Sequence, residues 1–194
     1  MFLKISEGIS GAMVKNGVIP PENQGLCRYG INQLFTILLN IAVTLSIGLL
    51  MDMVLESVLF MAAYIPLRSY AGGYHAKTPQ RCCVFSGVLM AVALLAMKYV
   101  FLTFYVVAGV WIVSGIIIAV VAPVEDKNKP LDEIEVKVYR KRAMLVWGID
   151  VLLGAIFAFA NLHQYASHVA WVMTAACFMV ILGKLKNLKN ATQK

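Results

Sequence analysis

Long apolar runs separated by short polar stretches set the plan of this chain. The runs Ile31 to Met51, Met53 to Leu67, Cys83 to Met97, Phe101 to Val121, Met144 to Ala160 and Ala166 to Gly183 carry few charges. A helix needs about 20 mostly apolar residues to cross a hydrocarbon core of about 30 Å. The pattern therefore predicts an all-α integral membrane protein with about six transmembrane or re-entrant helices. The second run is short and contains Glu56, so it has to tilt, thin the bilayer or borrow from its flanks; a four-span alternative makes the second and third runs re-entrant. Ahead of the spans, Phe2, Ile5, Ile9 and Met13 recur at helical spacing between Lys4, Ser6, Ser10 and Lys15. That predicts an amphipathic helix within the N-terminal segment 1–24, either lying in the membrane interface or packed as an ordinary helix. Lys4, Glu7 and Lys15 interrupt the apolar core that a cleavable signal requires.

Composition strengthens the membrane reading. Of 194 residues, 60% are apolar and 14% charged, whereas soluble domains carry about half and about a quarter. The whole chain, 1–194, reads as a single polytopic domain whose first partner is the lipid bilayer. Charge then orients it, because cytoplasmic loops hold the excess of Lys and Arg. With the N-terminus inside, Lys98 is the one cation of the seventeen that falls outside. The others lie before the first span, in the polar segment 68–82, in the charged loop 122–142 and in the basic tail 184–194. Both termini and the polar loops are therefore expected on the cytoplasmic side of a cell membrane. The four cysteines, Cys27, Cys82, Cys83 and Cys177, form no disulfide framework and suit a reducing compartment. No nucleic-acid partner is expected.

One polar island stands out between the second and third runs: Arg68-Ser-Tyr-Ala-Gly-Gly-Tyr-His-Ala-Lys-Thr-Pro-Gln-Arg-Cys-Cys83. Thr78-Pro79 is a helix-start signal, since threonine caps and proline at the first helical position loses only an N–H that has no partner there. Cys82 then occupies the fourth helical position, close to the positive end of the helix dipole and beside Lys77 and Arg81. Such surroundings favour the thiolate, which is the nucleophile. His75 precedes the break and is placed to take and return the thiol proton. Gly72 and Gly73 permit a tight turn and close approach of a substrate backbone. Two other readings stand beside this one: packed or interfacial side chains, and a metal held by His75, Cys82 and Cys83, for which no fourth ligand is near. Gln80 is a candidate oxyanion donor. Glu56 and Asp150 sit within spans, either orienting His75 or pairing between helices. His163 and His168 fall on the outer side, away from Cys82, and Cys27 and Cys177 read as small apolar packers.

The segment Gly72-Gly-Tyr-His75-Ala-Lys-Thr-Pro-Gln-Arg-Cys82 resembles the accessory gene regulator B (AgrB) family of bacterial quorum-sensing membrane peptidases. Arg68 upstream and Ala122-Pro-Val-Glu-Asp-Lys-Asn-Lys-Pro-Leu131 extend the likeness, as do size and span pattern. The resemblance implies a thiol protease that trims the C-terminal tail of a small autoinducing-peptide precursor through an acyl-enzyme thioester and promotes its cyclisation to a thiolactone or lactone. It selects Cys82 over Cys83 as nucleophile and His75 as its partner, with no cofactor and no metal. The implied partner is a small precursor with an amphipathic leader and an acidic tail. Substrate-binding candidates are Arg68, Gly72, Gly73, Lys77, Gln80, Arg81, Lys127 and Lys129. Positive-inside topology alone also places the cations among these. A homodimer fits so small a bundle. The alternative function is a non-enzymatic peptide exporter or scaffold.

Overall fold

A computed structural model describes residues 3–74, 79–125 and 131–192. Among them are seven α-helices: α1 (Leu3–Lys15), α2 (Gln24–Leu50), α3 (Val54–Ala71), α4 (Pro79–Tyr99), α5 (Phe104–Val121), α6 (Glu133–Phe159) and α7 (His163–Thr192). By length and composition, five helical stretches are apolar enough to cross a membrane: Pro21–Leu50, Arg81–Tyr99, Phe104–Val121, Glu133–Phe159 and His163–Lys189. The third run is thus among the spanning candidates. The second, now α3, is outside that set although it is as long as α5, in keeping with Glu56 and Arg68 at its two ends.

The helices outrun the apolar segments that announced them. α2 begins at Gln24, one turn after the Pro20-Pro21 bend. α6 begins at Glu133, well inside the charged stretch, because Asp132 and Glu135 form a reciprocal capping box. The Glu135 amide donates to Asp132 Oδ1 at 2.6 Å, and the Asp132 amide donates to Glu135 Oε2 at 3.2 Å. Likewise α7 carries its helix through most of the basic tail.

α7 is the central post of the bundle: 72% of its apolar window is buried, against no more than 22% for any other span. One side of it, through Val169, Met173, Ala176 and Val180, packs with Leu67, Ile118 and Ala143. Its other side, through Val172 and Ala175, meets Phe60, Ala63, Met90 and Leu94. In lipid there is little hydrophobic drive between helices, so close packing and buried polar contacts hold them. Trp147 Nε1 donates to Ser114 Oγ at 3.0 Å between α6 and α5. The rings of Trp147 and Trp111 rest where Gly115 and Gly154 leave room.

α1 packs on α2 with the face opposite to its aliphatic stripe. Ser6 and Ser10 are buried there, each hydroxyl bonded to a carbonyl three residues back, while Leu3, Ile5 and Ile9 are exposed. The small side chains let the helices approach, and the aliphatic stripe is left facing outward, as an interfacial helix requires.

Candidate active site

The two ends of the bundle are built differently, and the island belongs to the end where α3, α5 and α7 finish and α4 and α6 begin. α3 stops at Gly72, whose φ of 69° and ψ of −153° suit glycine alone. Gly73 follows with φ 133°. A side chain on either would also collide: a Cβ at Gly72 with the Val124 backbone, and one at Gly73 with the Met179 carbonyl and the Arg68 guanidinium, both at 2.7 Å. The third glycine of this crossing is Gly183 on α7, where a Cβ would strike the backbone of Gly73 and Tyr74. The sequence thus threads an extended strip of backbone between the 122–125 connection and α7.

Hydrogen bonds fix the strip on both sides. The Val124 amide donates to the Ala71 carbonyl at 2.9 Å, and Gly72 and Val124 form a parallel bridge. The Tyr74 amide donates to the Met179 carbonyl at 2.8 Å. Arg68, one turn before the end of α3, donates from Nη2 to the Tyr74 carbonyl at 2.5 Å. Both backbone groups of Tyr74 are therefore held, immediately before His75. Its ring is held too, packed 5.2 Å from the Phe85 ring on α4 and 5.3 Å beneath Lys186 Nζ.

The 122–125 connection is pinned in turn. Arg140 Nε donates to the Ala122 carbonyl at 2.8 Å, and Asn187 Nδ2 to the Glu125 carbonyl at 2.8 Å. Arg142 lies over the Tyr70 ring, which meets Tyr139 edge-on. Cationic side chains thus do structural work on backbone carbonyls and aromatic faces here.

Cys82 is the fourth residue of α4, partly buried and unbridged, and three residues ahead of Phe85. Its neighbour Cys83 is also partly buried and unbridged, and Arg81 is exposed. The helix start at Pro79 and the position of Cys82 within it match the sequence reading. His75, Lys77, Thr78, Lys127 and Lys129 lie outside the described residues, as does the side chain of Gln80. Of the sequence candidates, Arg68, Gly72, Gly73 and Cys82 are therefore brought to one end of the bundle, on elements joined through Tyr74.

The remaining ionisable residues stand elsewhere. Glu56 occupies the first turn of α3, about 18 Å of helix rise from Arg68, and His168 is fully buried on α7. Asp150 is buried at mid-height in α6, and Cys177 is buried with its thiol directed to the Ser114 carbonyl. Sequence reasoning passed over Tyr74. The signal was present, since Tyr74 follows a glycine pair, but what it touches is decided by distant segments.

The family model for accessory gene regulator B matches residues 6–182. Two curated proteins of Clostridium perfringens, both named AgrB-like, are also similar. The one from strain SM101 is 29% identical over 132 residues and that from strain 13 is 26% identical over 131. Each alignment covers 64% of this chain, and the chain spans 61% of the length of either relative. No solved structure matches.

Proposed function

Because this chain belongs to the accessory gene regulator B family, whose model covers residues 6–182 and with them the whole island, we propose that it is a membrane cysteine endopeptidase of a bacterial quorum-sensing system. Its substrate is a small autoinducing-peptide precursor with an amphipathic leader and an acidic tail. The single observation that carries the reading is the double tether of Tyr74, which ties the residue before His75 to α3 and α7 while its ring rests on α4 one turn beyond Cys82.

The chemistry follows from the residue types. His75 takes the proton of Cys82, and the thiolate attacks the carbonyl at the end of the signal sequence. His75 returns the proton to the departing amine, the tail leaves, and the peptide remains as a thioester. A cysteine or serine of the same peptide then attacks that thioester, closing a thiolactone or lactone and freeing Cys82. The thioester conserves acyl-transfer potential, and a site at the membrane face limits competing water. Arg81, Lys77, Lys127 and Lys129 attract the acidic tail. The excess of cations at the island end supports a cytoplasmic position for the site and both termini.

The test is precursor processing in membranes carrying single variants. Cys82→Ala and His75→Ala each abolish release of the tail while the protein stays in the membrane, and Cys83→Ala leaves most activity. Undiminished cleavage by Cys82→Ala rejects the peptidase and leaves the exporter or scaffold reading.

A further inference from the structure

Three successive turns of α7 bear on two residues of the strip. The Met179 carbonyl accepts the Tyr74 amide at 2.8 Å. Gly183, one turn on, leaves the room that the backbone of Gly73 and Tyr74 fills. Lys186, a turn further, sets its Nζ 5.3 Å from the centroid of the Tyr74 ring. Positions 179, 183 and 186 stand at i, i+4 and i+7, one stripe of a helix. The stripe therefore keeps the same partner as the sequence passes from apolar residues into the basic tail. The Tyr74 ring is partly buried and also meets the Phe85 ring at 5.2 Å, and Phe85 stands three residues after Cys82 on α4. A cation held over an aromatic face is attracted by the negative centre of the ring, more strongly where water is partly excluded.

Resting on the peptidase reading above, we propose that Lys186 is a positioning residue for that reaction: its ammonium holds the Tyr74 ring against Phe85, and so sets where the strip stands relative to the helix that carries Cys82. The basic tail thus has two duties. Lys184 and Lys189 are exposed and supply positive charge at the membrane face, whereas Lys186 is partly buried and directed at one ring. Its effect reaches Cys82 through Tyr74 and Phe85. Displacing a reacting group by about 1 Å can cost about 10²-fold in rate even when the cause is remote, so such a clamp has a kinetic signature. Its loss lowers kcat and leaves KM in place. A lysine that attracted the acidic tail of the precursor would do the reverse, and its loss would raise KM in a salt-dependent way.

Steady-state cleavage of a tailed precursor peptide by the full-length protein in phosphatidylglycerol-containing vesicles tests the assignment. Lys186→Met keeps the stem and removes the charge. It is expected to lower kcat about 5- to 10-fold with KM within about twofold of wild type, and Lys186→Arg, which still presents a cation to the ring, to recover most of the rate. A double-mutant cycle gives the second readout. In a Tyr74→Leu background, adding Lys186→Met is expected to change kcat by less than about twofold, because the ring it acts on is gone. Alkylation of Cys82 by iodoacetamide, read by peptide mass, is expected to stay within about twofold of wild type in Lys186→Met, since the thiol itself is untouched. An unchanged kcat in Lys186→Met, a rise in KM alone, the same loss of kcat with and without the Tyr74 ring, or a loss of alkylation equal to the loss of cleavage each overturns the positioning role. Precursor cleavage by Cys82→Ala overturns the peptidase reading instead, so the two failures are distinct.

Discussion

The island end and the Lys98 end of this bundle solve the same problem, how to finish helices at a membrane face, in opposite ways. At the Lys98 end side chains close off backbone. Lys98 Nζ donates to the Met51 carbonyl, Trp171 Nε1 to the Val100 carbonyl, and the Leu102 amide to Ser167 Oγ. At the island end backbone closes off backbone, with Ala71, Gly72 and Tyr74 bonded to Val124 and Met179, and side chains such as Arg68 and Arg140 brace the result. Irregular backbone at a membrane boundary is tolerated where protein satisfies it. The island arrangement uses three glycines in tight quarters, and what it gains is a fixed strip of main chain leading directly into His75. The Lys98 end has only to stop its helices.

The sharpest way to break the contrast is to deny the strip its path. Gly72→Val imposes backbone strain of about 1–3 kcal/mol and sets a side chain against the Val124 backbone. Precursor cleavage is expected to fall by more than about 100-fold, measured alongside the amount of protein in the membrane. Next in size is Arg68→Ala, which frees the Tyr74 carbonyl. Hydrogen bonds from charged groups contribute about 1.5–3 kcal/mol, so cleavage is expected to drop about 10- to 100-fold, with Arg68→Lys recovering part of it. Asp132→Ala removes the α6 cap, and about 1 kcal/mol of stability with it, read as a lower thermal unfolding midpoint in detergent and only a small change in cleavage. Smallest is Lys98→Ala at the opposite end. Its bond to Met51 is exposed and solvent-screened, so its loss is expected to cost no more than about 0.5–1.5 kcal/mol in the same melting assay and to leave cleavage unaltered. A Lys98 variant as inactive as the Arg68 variant contradicts the division of labour between the two ends.

Local chemistry made much of this legible in sequence. Run length announced the helices, Pro79 marked the start of α4, and the paired glycines marked a crossing. The distribution of cations set the island end apart from the Lys98 end. What escaped was pairing between segments far apart in the chain. Nothing near Tyr74 says that its amide will meet Met179, and nothing near Val124 names Ala71. Nor did hydrophobic periodicity name the face by which α1 meets α2, because in a membrane an aliphatic stripe has lipid as an alternative partner and small residues make the closer helix seam. Ser6 and Ser10 took that seam, leaving Ile5 and Ile9 outward. The starts of α6 and α2 in polar sequence show the same limit, since capping and bends, rather than hydropathy, decide where a helix begins.

The central claim is that Cys82, and not the adjacent Cys83, forms the acyl-enzyme at the island end. Capture of the thioester tests it most directly: membranes containing the full chain are mixed with a tailed precursor peptide, quenched in acid, digested and weighed. The account predicts a hydroxylamine-labile peptide adduct on the fragment bearing Cys82, absent in Cys82→Ala and retained in Cys83→Ala. An adduct on Cys83, or tail release that persists in Cys82→Ala, contradicts it.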